Sequence, residues 1–376
     1  MFSFFAPTYI KEAQLVVKNA HKLLHYKEDL LSDASRADIK ATIGRLEVAI
    51  RDRDRAGVEA AARQLDEQWC QYMPPVADAG WRENCEVFLV AIIIAIGVRT
   101  FFLQPFTIPT GSMQPTLNGI IGYPMDAPPP GIPTQIVDFV LRGRHYINTV
   151  ADSDDVVTQM SERKLFFFFT LTDVQGAHSS YTIWAPLDTV RRYFHVNPNT
   201  NLYAGKIVAR GAVDAGDHVF VDKVSYNLHT PTRGEVFVFS TRNIERIERQ
   251  LGEQGIEGSQ FYIKRLGGLP LDTLRIDKPL LFINGPEAKE FGFQRVMKDR
   301  TDGYDDGYTN PEAEEAYYLT SPDATYTVPA NHYFALGDNS ANSFDSRYWG
   351  PVPQENLMGR GFFVYWPFLP HWGFVK

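Results

Sequence analysis

The sequence predicts a mainly β chain: an antiparallel β domain preceded by one membrane-spanning helix and an N-terminal helical region. Three observations carry this. Residues 9–72 show helical periodicity, residues 85–106 form one apolar run, and from about 206 to 376 short β-rich runs are broken by Gly, Pro and Asp. The length of 376 residues allows two or three domains. Aromatic residues at 13%, with 24 prolines and 28 glycines, favour strands and turns over a helical bundle.

In the N-terminal region Ile39, Ile43, Leu46 and Ile50 recur at helical spacing, and Val58, Ala62, Leu65 and Trp69 repeat it. The polar "RDRDRAG" between the two stripes predicts a turn. A helical hairpin or short coiled coil follows, with a packing role and no catalytic groups.

The run "CEVFLVAIIIAIGVRTFFLQPF" has no charge between Glu86 and Arg99. Counted through Phe106 it reaches the roughly 20 residues that a span needs. Arg99 can snorkel to the headgroups, Trp81 and Arg82 suit the interface, and Pro105 is expected to end the helix. The competing reading is a buried core helix, against which Arg99 speaks. With residues 1–84 ahead of it, the run is not expected to be a cleaved signal peptide.

Beyond the run, "HVFVDKV", "GEVFVFS", "FYIKRL", "YFALGD" and "GFFVYW" read as strands, and no long helical period interrupts them. Two stretches read as additions. Residues 120–205 hold "APPPGIPTQ", "ADSDD" and the strand-like "KLFFFFTLT"; about 280–330 contains the acidic "DRTDGYDDGYTNPEAEEA" of 299–316. Asp302, Asp305 and Asp306 lack calcium-loop spacing, so this stretch reads as a solvated loop.

Composition excludes several classes. A net charge of −8 argues against general nucleic-acid binding. The two cysteines, Cys70 and Cys85, leave the C-terminal region without disulfides or thiolate metal sites. HExxH, GxxxxGK[ST] and GxGxxG are all absent.

The chemistry-bearing residues lie in three separated stretches. Ser112 sits in "QPFTIPTGSMQPTLNG", fenced by prolines that would be out of place in a buried strand. A serine hydroxyl needs a base. Nine histidines are present, but Ser112 has no GxSxG setting. Lys264 in "FYIKRLGGLPLD" is the better partner: in a strand it shares a face with Tyr262, and an apolar face would lower its pKa. The third stretch, "ALGDNSANSFDSRYWGPVP", is dense in turn-forming side chains. Within it a hydroxyl such as Ser343 could hold a neutral lysine, and Asp345 can pair with Arg347.

These stretches resemble the boxes of bacterial type I signal peptidases, membrane-bound Ser/Lys endopeptidases. "IPTGSMQPTL" is similar to the nucleophile box, "YIKRLGGLP" to the general-base box, "GDNSANSFDSRYWGPVP" to the C-terminal box and "AGDHVFVDK" to the intervening box. The apolar segment sits where that family has its anchor. The resemblance implies an antiparallel β catalytic domain of signal-peptidase type. Residues 1–80 would be a cytoplasmic helical region, 85–106 the transmembrane helix, and 107–376 the extracytoplasmic domain at a bacterial plasma (inner) membrane. It implies Ser112 as nucleophile, Lys264 as general base, Ser343 orienting the amine, and the Ser112 N–H with the Thr110 hydroxyl as oxyanion hole. Ile108, Pro109, Tyr262 and Ile263 would shape pockets for small side chains. Asp338 with Arg265, and Asp345 with Arg347, would be supporting ion pairs. The implied partners are signal peptides of preproteins, the lipid bilayer and the secretion machinery, with no nucleic acid, metal or cofactor. Departures are Thr110 where many members have serine, Ser340 and Ala341 in place of an Arg-Asp pair, Leu271 in the "LPGD" position, the long 120–205 addition and the N-terminal helices.

Three other readings compete. A Ser/His hydrolase would use His218 or His332. A self-cleaving Ser/Lys repressor lacks support from a DNA-binding helix pair. A membrane-anchored β scaffold with an inactive site would need neither Ser112 nor Lys264.

Overall fold

The computed structural model describes residues 8–72, 79–165, 169–253, 255–256, 258–298, 306–311 and 316–376. The chain divides into two compact units, Met1–Ile93 and Ile94–Lys376.

In the first unit the helices Thr8–Tyr26, Asp33–Asp52 and Arg55–Tyr72 follow one another. Both predicted stripes face one core, where Ile39, Ile43, Leu46, Val58 and Leu65 are buried and Ile50, Ala62 and Trp69 pack against them. Ala13, Ala20 and Leu24 of the first helix join that core, so the expected hairpin is a three-helix bundle. Ser32 caps the second helix by accepting from the Ser35 N–H. Arg53, in the left-handed region at φ 57°, ends it inside the predicted turn.

The apolar run lies in the helix Ala79–Phe101. Its Gly80–Phe101 portion is 22 residues long with a mean hydropathy of 1.9 and no buried share, so it is long and apolar enough to cross a membrane. A core helix would be buried, and Val87, Phe88, Ile93 and Ile94 are exposed. The helix stops at Phe101, earlier than expected from Pro105. Leu103–Thr107 is instead a strand, paired antiparallel with His218–Asp222 from Leu103↔Asp222 to Thr107↔His218. Pro105 is accommodated because this strand forms the edge of its sheet. The Lys223 ammonium donates to the Thr100 carbonyl at 2.8 Å, satisfying a carbonyl of the last helical turn.

The second unit is built on an eight-stranded antiparallel sheet. Its order is Leu103–Thr107, His218–Asp222, Leu357–Trp366, Val236–Ser240, Phe261–Gly268, His332–Leu336 and Val352–Pro353, with Gly373–Phe374 pairing Leu357–Trp366. Alternation buries Val219 and Val221 of one strand and Val364 of its neighbour. The predicted antiparallel β domain is therefore present, with register shifts at Val238/Phe239, Leu266/Gly268 and Gly361/Phe363 that bend the sheet.

The 120–205 addition has its own core of Val157, Val174, Ile183, Val190 and neighbours. Ile121–Pro124 and Arg144–Val150 flank Ile207–Asp214 in one sheet, and a four-stranded sheet lies beyond it. Of the strand-like "KLFFFFTLT", Phe166–Phe168 lie outside the described residues, while strands Asp155–Leu165 and Phe169–Gly176 lie on either side. The helices Ile132–Arg142, Leu187–Phe194, Glu245–Glu253 and Phe291–Lys298 were not legible as periodic runs, because none exceeds three turns.

The stretch 299–316 departs from the expected solvated loop. Asp302 and Asp305 lie outside the described residues, and Asp306 pairs with Lys278 at 2.6 Å on the surface. Tyr308, however, is fully buried against Phe293 in a core shared with Leu274 and Phe334. An aromatic ring of that size outweighs the acidic residues before it.

Candidate active site

Ser112 lies in a single 3₁₀ turn, Gly111–Met113, and is buried. The turn is clamped by the loop after His332–Leu336. The Asn339 backbone N–H donates to the Ser112 carbonyl and its side-chain amide to the Gly111 carbonyl, both at 3.1 Å. Gly337 lets this loop approach: a Cβ there would sit 2.1 Å from Ser343 Oγ and 2.7 Å from the Ser112 carbonyl oxygen.

Lys264 Nζ lies 2.6 Å from Ser112 Oγ, across 152 residues of sequence. Strand pairing explains the setting. Lys264 is opposite Phe237 and Tyr262 opposite Phe239, so the lysine stem stands on a face carrying two fully buried rings. Burial pushes its pKa down from 10.5 to about 8; Asp345 and Asp338 oppose this and Arg347 reinforces it. Among the described residues, Ser112 Oγ has two hydrogen-bond partners, Lys264 and the Thr110 hydroxyl at 3.4 Å. Neither His218 nor His332 reaches it: His218 lies 3.4 Å from the Tyr365 hydroxyl, and His332 lies 2.9 Å from the Ala330 carbonyl.

Two buried ion pairs flank the amine. Arg265 donates twice to Asp338, at 2.7 and 2.6 Å, and also to Thr116 Oγ1 at 3.0 Å, tying the strand to the segment after Ser112. Arg347 donates to both oxygens of Asp345 at 2.8 and 2.9 Å, and Asp345 also accepts from the Gly337 N–H at 2.9 Å. Ser340 takes an unforeseen place here. Its hydroxyl accepts from Arg347 at 2.8 Å and from the Thr309 N–H at 3.0 Å, anchoring the segment that contains Tyr308. Only the serine's position in the third stretch hinted at this, because Thr309 is remote in sequence.

Ser343 Oγ is buried and has no hydrogen-bond partner among the described residues, so the expected bond to the Lys264 amine is not made. The four pocket candidates are divided between two apolar clusters and the surface. Ile108 is buried in the cluster of Met113, Leu117 and Val219 with Ile263 packed against it, whereas Tyr262 packs in the cluster of Phe237 and Phe239. Pro109 is exposed. No group of three His, Cys, Asp or Glu among the described residues could hold a metal ion.

A model of the family described as "Signal peptidase, peptidase S26" matches residues 81–121 and 208–366, more than half of the chain. The chain belongs to that family. "Probable signal peptidase I-2" of Synechocystis sp. is 31% identical over 157 residues, covering 40% of this chain and 56% of that protein. "Signal peptidase I" of Pseudomonas fluorescens is 36% identical over 180 residues, covering 41% and 61%. A crystal structure of a signal peptidase I from Enterococcus faecalis V583 has 29% identity at a TM-score of 0.25, covering 35% of this chain and 97% of that one. The chain thus spans about three-fifths of the length of the curated relatives it matches. Within this S26 chain, the unmatched segment 122–207 contains both the three-turn helix Ile132–Arg142 and the whole four-stranded sheet.

Two expectations follow. Gly337→Ala forces the clamp loop away from Ser112, so the variant loses about 1–3 kcal/mol of stability in denaturant titration. Lys264→Met is more stable than wild type at pH 7. The folded-state lysine pKa lies below the unfolded value, so wild-type stability falls as pH drops from 10.5 toward 8 and stays low beneath it. The penalty relieved is about 3 kcal/mol, and the difference between the two proteins should shrink steeply between pH 7 and pH 10 in thermal melts.

Proposed function

We propose that this S26-family protein is a membrane-anchored serine endopeptidase that removes signal peptides from preproteins after small residues of the Ala-x-Ala type. The observation that carries the reading is the 2.6 Å contact between the buried Lys264 amine and the Ser112 hydroxyl. With a pKa of about 8, a useful fraction of the amine is neutral near pH 7, and its lone pair can take the serine proton.

Ser112 Oγ attacks the scissile carbonyl while its proton passes to Lys264 Nζ. The tetrahedral adduct collapses; the lysine returns the proton to the leaving amine, and an ester joins Ser112 to the peptide's acyl part. Water, deprotonated by the same lysine, hydrolyses that ester. The Ser112 N–H and the Thr110 hydroxyl receive the developing oxyanion, a role in which one donor is worth about 3 kcal/mol. Ser343 Oγ, buried beside Gly337 with no hydrogen-bond partner among the described residues, is the hydroxyl left available to orient the neutral amine. Crowding by Ile108 and Ile263 next to the Ser112 turn supports selection of small side chains.

The substrate class carries its own apolar segment. A protease held by the Gly80–Phe101 helix meets such a substrate in the plane of the bilayer, which supplies proximity without tight binding. In this reading residues 1–80 are cytoplasmic, 107–376 extracytoplasmic, and the membrane is the bacterial plasma membrane.

Ser112→Ala and Lys264→Ala should each lower kcat by about 10⁴-fold or more, measured on a preprotein ending its signal peptide in Ala-x-Ala; mature-length product at the wild-type rate from either variant refutes the assignment. The pH profile gives a separate check. Since the neutral amine is the active form, kcat/KM should fall tenfold per unit below a pKa of about 8 and level off above it. A limb centred near the ordinary histidine range would point to a different base.

A further inference from the structure

A cavity of about 430 Å³ lies between the 120–205 addition and the large sheet. Phe139 and Trp184 of the addition line it together with Tyr365 and Trp366 of the sheet, and Thr107 and Ile120 also form part of its wall. The wall is ordered: Phe139 and Trp366 rings are 5.6 Å apart, His218 and Trp366 rings 4.9 Å, and Trp366 Nε1 donates to the Val140 carbonyl at 3.1 Å. Burial holds the two imidazoles that line it, His145 and His218, below their ordinary range, so they add no charge near pH 7.

Its position ties it to the reacting serine. Thr107 directly precedes Ile108 and Pro109, and the Ile120 N–H donates to the Pro109 carbonyl at 3.3 Å. The cavity therefore adjoins the segment that leads into Ser112. Aromatic-walled cavities of this size suit a large apolar side chain.

We propose that this cavity is an accessory subsite that takes one large apolar side chain from the end of the signal peptide's apolar segment. The proposal rests on the reading of the protein as a signal peptidase, since that substrate class places an apolar run just ahead of the cut. An extended peptide bound at Ser112 places residues upstream of the cleavage site at increasing distance along the surface, about 3.3 Å per residue. The side walls contributed by Phe139 and Trp184 make the preference a property of this chain's addition.

The test uses the full-length protein in detergent and in lipid nanodiscs. The substrates are peptides carrying Ala-x-Ala and a single Leu or Ser at successive upstream positions. Wild type should cleave the Leu peptide about tenfold better than the Ser peptide at one or two positions. Ala215→Phe, which fills the cavity, should bring that ratio close to one, and Trp184→Ala, at a half-exposed wall position, should also reduce it. A merely structural defect would slow both peptides alike and leave the ratio unchanged. A flat wild-type profile, or a ratio that survives both substitutions, overturns the proposal. So does a loss that is equal for all peptides and confined to nanodiscs, which would assign the cavity to a lipid acyl chain. Binding of the same peptides to Ser112→Ala by fluorescence anisotropy should show the same Leu preference. That arm decides the subsite even if wild type cleaves none of the peptides, an outcome that would instead overturn the proposed function.

Discussion

A buried amine whose pKa is drawn down to about 8 inside a charged neighbourhood is the constraint on which the rest of the second unit depends. Lys264 is buried, and so are Arg265, Asp338, Asp345 and Arg347. A lone carboxylate in that setting would hold the lysine protonated. Each carboxylate instead meets a guanidinium fork at two oxygens, so its field at the amine is largely cancelled. The opposing influences of Asp345 and Arg347 on Lys264 express this directly. Buried ion pairs add little net stability, because desolvation offsets their attraction. Their value here is that they tie the strand bearing Lys264 to the loop at 337–347 and to the segment after Ser112 without leaving a stray charge near the amine.

The same pairs carry mechanical order to the serine. Arg265 links Asp338 to Thr116, and Asp338 immediately precedes Asn339, whose two donors hold Gly111 and Ser112. Arg347 links Asp345 to Ser340 and Thr309, which brings the segment around Tyr308 into the frame. The position of Ser112 is thus set from one side by the strand bearing Lys264 and from the other by the loop at 337–347. Ser340 leaves no gap in this frame, because its hydroxyl accepts from the Arg347 guanidinium.

Much of this was legible because it is local chemistry. The stripes of Ile39, Ile43, Leu46 and of Val58, Leu65 announce a helix pair, and prolines around Ser112 exclude an ordinary strand. The pairing of Asp345 with Arg347 follows from two residues of separation. What escaped depends on distant partners. The apolar helix ends at Phe101 because the following residues find an edge at His218–Asp222, a fact that hydropathy cannot register. Tyr308 is buried because Phe293 and Leu274 await it, although its own neighbours are acidic. That Ile108 packs with Met113 and Ile263 under the Ser112 turn, while Tyr262 meets the rings of the next strand, is also set by distant partners. The orientation of Ser343 Oγ is likewise a matter of tertiary geometry.

The addition at 120–205 is visible in the sequence but its architecture is not, and its topology explains how the fold tolerates it. Ile121–Pro124 enters it and Ile207–Asp214 leaves it, and these strands pair antiparallel from Ile121↔Asp214 to Pro124↔Gly211. Entry and exit therefore stand side by side. Chain inserted between two paired strand ends does not have to stretch or shift the frame, and the entropy of closing a loop already closed by a ladder grows only slowly with length. The Asp217 carboxylate and backbone, which accept from the Asn118 N–H and donate to the Asn118 carbonyl, brace the same junction next to Gly119 and Ile120. The addition can thus acquire its own core and present Phe139 and Trp184 to the large sheet while the geometry at Ser112 stays under the control of Arg265, Asp338 and Asn339.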